Sequence, residues 1–249
     1  MRLLLDIGNT RIKWAVQTSK GLDEQQAIAH ADLNAAQLGT QIFAPSGQVS
    51  KVLVSNVAGA AMADNVRQAA RDCWQLEPQF VVSPASASVA GRVLHNAYAE
   101  PEKLGVDRWL AMLGAYSQQA SAALVVAVGT AMTIDAITAA GKHLGGLILP
   151  GPDLMMHSLM RNTSDIARHA ERGDYGNEFF ADNTLGCVYQ GAVHGAVSLF
   201  EAAHARLSSQ AGSARLLLTG GAAMQLQTHL TVPTQLIPDL VLQGLASYA

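Results

Sequence analysis

The sequence predicts an α/β fold of two similar domains, each a mixed sheet flanked by helices. Three observations lead there. The chain opens with a buried strand that reverses through a glycine turn into a second strand. A strand–helix–strand run follows at Lys51–Ser55, Ala60–Trp74 and Phe80–Val82, the order that produces parallel pairing. The opening pattern then recurs: aligning Gly8 with Gly129 lays Leu5-Asp6-Ile7-Gly8 over Val126-Ala127-Val128-Gly129, at a separation far longer than any solenoid period. A length of 249 residues accommodates two domains of ordinary size, expected at 1–114 and 115–249.

Bulk composition narrows the function classes. The chain is 49% hydrophobic and 14% charged, an apolar excess that a large core or a buried subunit interface would absorb. The net charge of −3 comes without a basic stripe, which argues against nucleic-acid binding. Cys73 and Cys187 lie far apart and read as two buried free thiols of a reducing compartment. No Cys/His spacing suggests zinc. Asp6 interrupts the N-terminal apolar run short of a signal-peptide core, and no uncharged apolar stretch reaches membrane-spanning length. The expectation is a cytoplasmic protein.

Leu3, Leu4 and Leu5 form an apolar run suited to a strand buried on both faces. Gly8 and Asn9 accept a tight turn, and Ile12, Trp14 and Val16 alternate with Lys13 and Ala15 as the returning strand. The turn gathers Asp6, Asn9, Thr10 and Lys13. Its amides and the Thr10 hydroxyl can donate to phosphate oxygens, Lys13 can neutralise phosphate charge, and Asp6 can hold a hydrated Mg²⁺. Leu22–Leu38 is Ala/Gln-rich and weakly helical. In Ala60–Trp74, Met62, Val66, Ala69, Ala70 and Cys73 recur at helical spacing. Val89–Leu104 is less regular. Asp107–Ala120 reads as a helix with Trp109, Met112, Leu113 and Tyr116 on one face and Asp107 in the first turn.

Beyond the second glycine turn, Lys142–Leu149 continues the second sheet. Pro150-Gly151-Pro152 breaks it, and Asp153 is placed to cap a helix running to about Arg161. Asn162–Phe180 is polar and reads as a mobile surface segment. Asp182–Leu207 is a long helix, Arg215–Thr219 a buried strand ending at Gly220-Gly221, and a final helix starts at Asp239. The diglycine fits either a base or ribose against the backbone or a helix N-terminal turn.

The chain contains neither a P-loop nor a dinucleotide fingerprint, and it lacks the protein-kinase loop signatures and the nucleophile elbow. Any nucleotide must therefore be held otherwise. Asp6-Ile7-Gly8-Asn9-Thr10-Arg11-Ile12-Lys13 resembles the first phosphate hairpin of the acetate and sugar kinase/Hsp70/actin (ASKHA) superfamily, whose domains are ribonuclease H-like. Within it the segment most resembles the start of type III pantothenate kinase. The pattern Asn96-x-Tyr98-x-x-Pro101-x-x-Leu104-Gly105-Val106-Asp107-Arg108-Trp109 resembles that family's pantothenate site. Further ordered matches are Gly129-Thr130-Ala131, Gly145-Gly146 with Pro150-Gly151, Asn183-Thr184 ahead of Gly191, and Thr219-Gly220-Gly221.

The resemblance implies a kinase that phosphorylates pantothenate with ATP and Mg²⁺, the first step of coenzyme A biosynthesis. It implies that Asp6, Gly8, Asn9, Thr10 and Lys13 line the ATP phosphates, with Asp6 on Mg²⁺ through water, and that Gly129 and Thr130 also meet ATP. Asp107 would accept the proton of the pantothenate hydroxyl; Tyr98, Gly105, Val106 and Arg108 would bind pantothenate. Thr184 would reach the substrate of a neighbouring subunit, in a homodimer with its site at the interface. One position departs: the family's usual Asp, which helps hold a monovalent cation, is Ala127 here. The K⁺ or NH₄⁺ expected of the family is then held weakly, differently or not at all. Two further readings stay open, a catalytically weakened regulatory protein like the Bvg accessory factors and another ASKHA small-molecule kinase.

Overall fold

The computed structural model describes residues 1–31, 33–170, 174–176 and 178–248. In chain order the elements are β1 (Arg2–Ile7), β2 (Arg11–Thr18), β3 (Gly21–Leu22), β4 (Gln26–Ala29), α1 (Ala35–Leu38), β5 (Lys51–Asn56), α2 (Ala60–Trp74), β6 (Gln79–Phe80), β7 (Ser86–Val89), β8 (Arg92–His95) and α3 (Val106–Gln118). They continue as β9 (Ala123–Val128), β10 (Ala131–Ile137), β11 (His143–Pro150), α4 (Pro152–Asn162), α5 (Ser164–Ala170), α6 (Thr184–Ala211), β12 (Arg215–Thr219), α7 (Ala223–Gln227), β13 (Thr234–Leu236) and α8 (Leu240–Ala246).

Two compact units result. One holds Met1–Ala120, Ala140–His143 and the chain from Asp239 onward; the other holds Ser121–Ala139 and Leu144–Pro238. They are not consecutive halves of the chain, because α8 returns to the first unit. There the Trp109 indole N–H donates to the Tyr248 hydroxyl at 2.8 Å.

The sheet of the first unit runs β3-β2-β1-β5-β6, with β4 also on β2. β1 is antiparallel to β2 and parallel to β5, and β5 is parallel to β6. The sheet of the second unit runs β11-β10-β9-β12-β13. Here β9 is antiparallel to β10 and parallel to β12, and β12 is parallel to β13. The strand order matches throughout, and the directions match from β2/β10 to β6/β13, as the recurrence at Gly8 and Gly129 predicts.

Strand alternation decides which side chains meet which helix. Leu3, Leu5 and Ile7 share a core with Val52 and Val54 of β5 and with Met62, Val66, Ala69 and Ala70 of α2. Leu4, Asp6, Leu53 and Ser55 therefore face the other side, where α3 and α8 pack against β5 and β1. Leu4 and Leu53 are fully buried there. In the second unit Leu124, Val126 and Val128 of β9 pack on Val193, Ala196, Val197 and Phe200 of α6 and on Ala223 and Leu226 of α7.

Five sequence expectations change. Within Leu22–Leu38, β3 and β4 pair on the edge of β2 and helix is confined to the short α1; the open edge of β2 outweighs a weak propensity. Val89–Leu104 begins with the turn and second strand of the hairpin β7–β8, turned at Ala90 (φ 50°) and Gly91 (φ 74°), the left-handed pair that a two-residue turn requires. Asn162–Phe180 includes α5, although residues 171–173 and 177 lie outside the described set. Asp153 does not cap α4: Gly151 is the N-cap and Asp153 sits in the first turn, complementing the helix dipole. Both cysteines are exposed rather than buried. Cys73 is in register with the apolar stripe of α2 but falls in its last turn, where the helix ends at Trp74, and Cys187 lies on the exposed side of α6.

Candidate active site

The first site is built on β1. The cross-strand partners of Asp6 are Lys13 on β2 and Ser55 on β5, and paired residues project to one face of a sheet. The Ser55 hydroxyl donates to Asp6 Oδ1 at 3.0 Å. Asp6 is 8% exposed. Burial pushes its carboxyl pKa up to about 6, Lys13 pulls it down, the Asp107 carboxylate pushes it further up, and the Ser55 hydrogen bond lowers it. Asp6 and Lys13 thus stand together as cross-strand partners, and α3 packs on the neighbouring strand β5. The turn itself closes with the Gly8 N–H donating to the Arg11 carbonyl at 3.0 Å. The His30 ring, 7% exposed, meets the Gly8 carbonyl at 2.6 Å.

The second group is the entry to α3. The Asn96 side-chain amide donates to the carbonyls of Pro84 and Pro101, each at 3.2 Å, while its carbonyl accepts the Tyr98 N–H at 3.0 Å. Ser83 donates to the Leu104 carbonyl at 2.8 Å. Helix α3 starts at Val106 with Gly105 as N-cap, and Asp107 Oδ1 accepts the Arg108 N–H at 2.9 Å. The Arg108 guanidinium is buried and donates to the Tyr98 hydroxyl at 3.0 Å. The Tyr98 ring stacks on fully buried His143, centroids 6.3 Å apart, and the Ala97 N–H donates to His143 Nδ1 at 3.4 Å. A buried cation held by a phenol hydroxyl beside a helix-start carboxylate can orient an anionic or hydroxyl-bearing molecule.

Gly129, Thr130 and Thr184 belong to the second unit. The Gly129 N–H donates to the Ala131 carbonyl at 3.1 Å, and the Gly151 N–H donates to the Thr130 carbonyl at 2.8 Å. A Cβ on Gly151 would run into the Gly129 carbonyl. Ala127 stands where Asp6 stands in the first unit, and its cross-strand partners are Thr133 and Thr219. Thr184 opens α6, whose N-cap Asn183 accepts the Gly186 N–H at 2.9 Å. It borders a cavity of about 860 Å³ with Pro150, Leu159, Asn183, Cys187 and Gly191. The diglycine has a structural reason: Gly220 has φ 99° and packs so closely on Val128 that a Cβ would strike its backbone. Asp135 is buried within β10.

Sequence reasoning assigned no role to Ser55, His30, Asn96 or His143. Ser55 could have been found by aligning the ends of two parallel strands. Asn96 already stood in the Asn96-x-Tyr98 pattern. His30 and His143 carried no local signal. Among the described residues no group of three His, Cys, Asp or Glu could hold a metal. The Asp6 carboxylate is nonetheless a hard oxygen donor, and the burial that opposes its ionisation is what a bound cation would offset. That donor fits Mg²⁺, which keeps several of its own waters and needs few protein ligands.

Two such sheets, each with a glycine-cornered hairpin at its centre, define a protein of the ASKHA fold class. A solved structure from Campylobacter jejuni described as a Baf family transcriptional activator shares the fold, with a TM-score of 0.62 and 20% identity over 98% of this chain and 95% of that one. So does one described as a 2-dehydro-3-deoxygalactonokinase from Sinorhizobium meliloti, with a TM-score of 0.58 and 13% identity over 99% and 97% of the two chains. Within that class, the chain belongs to the type III pantothenate kinase family, whose model matches residues 2–206. The type III pantothenate kinase of Aromatoleum aromaticum is 39% identical over 249 residues, covering 100% of this chain and 98% of that one. That of Nitrosococcus oceani is 33% identical over 255 residues, covering 100% and 94%. No helix of the described residues is long and apolar enough to cross a membrane.

Proposed function

We propose that this chain transfers the γ-phosphoryl group of ATP to the hydroxyl of pantothenate, giving ADP and 4′-phosphopantothenate at the first step of coenzyme A biosynthesis. One observation carries the reading: Asp6 and Lys13 are cross-strand partners beside the first glycine turn, on the sheet that α3, with Asp107 in its first turn, packs against. In a chain of this family that arrangement supports roles for Asp107 as base, Lys13 as cation and Asp6 as metal-binding carboxylate.

The transition state of phosphoryl transfer is loose, so positioning and charge neutralisation dominate. Lys13 neutralises phosphate charge, and the Gly8-Asn9-Thr10 turn donates to phosphate oxygens. Asp6 would hold Mg²⁺ through water, and the ion would supply further charge neutralisation. Asp107 orients the pantothenate hydroxyl and takes its proton as the new P–O bond forms and the bond to ADP breaks. Arg108, steadied by Tyr98, pairs with the pantothenate carboxylate, with Gly105 and Val106 beside it. Gly129 and Thr130 are assigned to ATP on family resemblance.

Three finer readings complete the proposal. With Ala127 in place of a carboxylate, K⁺ or NH₄⁺ is held weakly or not at all. The chain forms a homodimer, supported by apolar side chains left exposed on β11 (Leu144, Leu147 and Ile148) and on α4 (Leu154 and Leu159). Thr184, beside the cavity at the start of α6, contacts substrate bound to the neighbouring subunit. ADP release measured with pantothenate, with a sugar and with no acceptor tests the activity. Release that depends on pantothenate is expected; release with sugar alone, or none with either, overturns it.

A further inference from the structure

We propose that His30 is a positioning residue for the first phosphate turn, holding the Gly8 carbonyl so that the Asn9 amide faces outward to a phosphate. This rests on the nucleotide-binding part of the proposed function and assigns a residue to it. His30 Nε2 lies 2.6 Å from the Gly8 carbonyl oxygen. A carbonyl accepts and cannot donate, so Nε2 carries the proton. The His30 backbone N–H donates to the Thr10 carbonyl at 3.2 Å. One residue just beyond β4 therefore holds two carbonyls of the turn, at Gly8 and Thr10.

The consequence follows from peptide planarity. The Gly8 C=O and the Asn9 N–H belong to one trans peptide unit and point in opposite directions. Fixing the carbonyl toward buried His30 turns the Asn9 N–H away from the protein. The burial sequence agrees: His30 is 7% exposed, Gly8 is half-buried, and Asn9 and Thr10 are exposed. Without the ring bond, a glycine at the corner leaves this peptide plane free to rotate. A phosphate would then have to order the turn as it binds, which weakens affinity without changing any phosphate contact.

The test uses the full-length chain and three variants, with Mg²⁺ and a non-hydrolysable ATP analogue as the binding probe. His30→Phe fills the buried volume without a donor, His30→Ala removes both, and His30→Gln restores an N–H at similar reach. Phe and Ala are expected to weaken analogue binding by about tenfold, the loss of one buried hydrogen bond. They are expected to raise the KM for ATP in parallel and leave the KM for pantothenate within about twofold, while Gln recovers most of the affinity. Melting temperatures show whether each variant is folded. Analogue binding by folded His30→Phe equal to wild type overturns the proposal. So does failure of folded His30→Gln to recover affinity, or an equal rise in the KM for pantothenate. Wild-type protein that binds the analogue but does not phosphorylate pantothenate would remove the proposed reaction and leave the His30 comparison standing on binding alone. Wild-type protein that binds no analogue would overturn both.

Discussion

On β1 the residue two before the turn glycine is Asp6, flanked across the strands by Lys13 and Ser55; on β9 the same place holds Ala127, flanked by Thr133 and Thr219. The turns differ too. Ile7 pairs with Ile12 across residues 8–11, whereas Val128 pairs with Met132 across residues 129–131, one residue shorter. A histidine ring holds the first turn and the backbone of Gly151 holds the second. Apolar alternation and strand order are common to both units, so they set the scaffold. The chemistry proposed for the site depends on a few positions at the strand ends, and there the first unit carries the charge.

The largest effect expected from that asymmetry is at Asp107. Asp107→Asn keeps an oxygen to accept the Arg108 N–H and so keeps the start of α3. It cannot take a proton. Turnover should fall by about 10²–10⁴-fold, the usual worth of a positioned base, with ATP-analogue affinity nearly unchanged. Full activity in this variant would remove Asp107 from the reaction.

The next prediction sets the two turns against each other. A Cβ at Gly8 would meet the Arg11 carbonyl at 3.5 Å, an ordinary contact, whereas one at Gly151 would collide with the Gly129 carbonyl and lie 2.9 Å from that of Thr130. Gly151→Ala should destabilise the protein by about 3 kcal/mol, since backbone rather than a pliable side chain must yield. Gly8→Ala should cost less than about 1 kcal/mol. Equal melting temperatures for the two variants would show that the second turn is not held through Gly151.

Asp6 gives a pH-dependent contrast that Ala127 lacks. Its carboxyl is raised from 3.8 to about 6 in the fold, so the native state favours the protonated form. That preference stabilises the protein below about pH 4 and is lost as pH rises through about 6. In metal- and nucleotide-free protein, Asp6→Asn should therefore match wild type near the acid end of this window. Above it the variant should be more stable by up to about 2–3 kcal/mol. Denaturant unfolding across the range reads this directly. A variant less stable than wild type at high pH would contradict the burial argument.

Much of this was legible in the sequence. The Ala60–Trp74 helix, the buried Leu3–Leu5 strand and the matching of Gly8 with Gly129 follow from periodicity and glycine placement, which are local signals. The grouping of Asp6 with Lys13 follows from hairpin register. The contribution of Asp107 to Asp6 does not, because it depends on α3 covering the Leu4 face of the sheet, a packing choice made between segments a hundred residues apart. His30 and Ser55 were silent for the same reason: each acts through a partner distant in sequence, and neither residue type is unusual where it stands. The β7–β8 hairpin was missed because Ala90 occupies a left-handed position normally marked by glycine or asparagine.

The smallest predicted effect bears on whether the neutral character of the second turn is a matter of one residue. Ala127 is half-exposed, with the threonines Thr133 and Thr219 opposite it. Thr219 is buried and donates its hydroxyl to the Pro238 carbonyl at 3.2 Å, so a polar group already has a place beside it. A carboxylate introduced by Ala127→Asp keeps access to water and should change stability by less than about 1 kcal/mol. It would restore an anionic oxygen where β9 meets its turn. Wild-type rates should be insensitive to replacing K⁺ or NH₄⁺ by tetramethylammonium at constant ionic strength, which keeps screening fixed. The variant should gain a dependence of about threefold, what one partly hydrated carboxylate can contribute to holding a monovalent ion. Strict K⁺ dependence in the wild type would mean that backbone and threonine oxygens suffice, and the difference between Asp6 and Ala127 would then say nothing about cations.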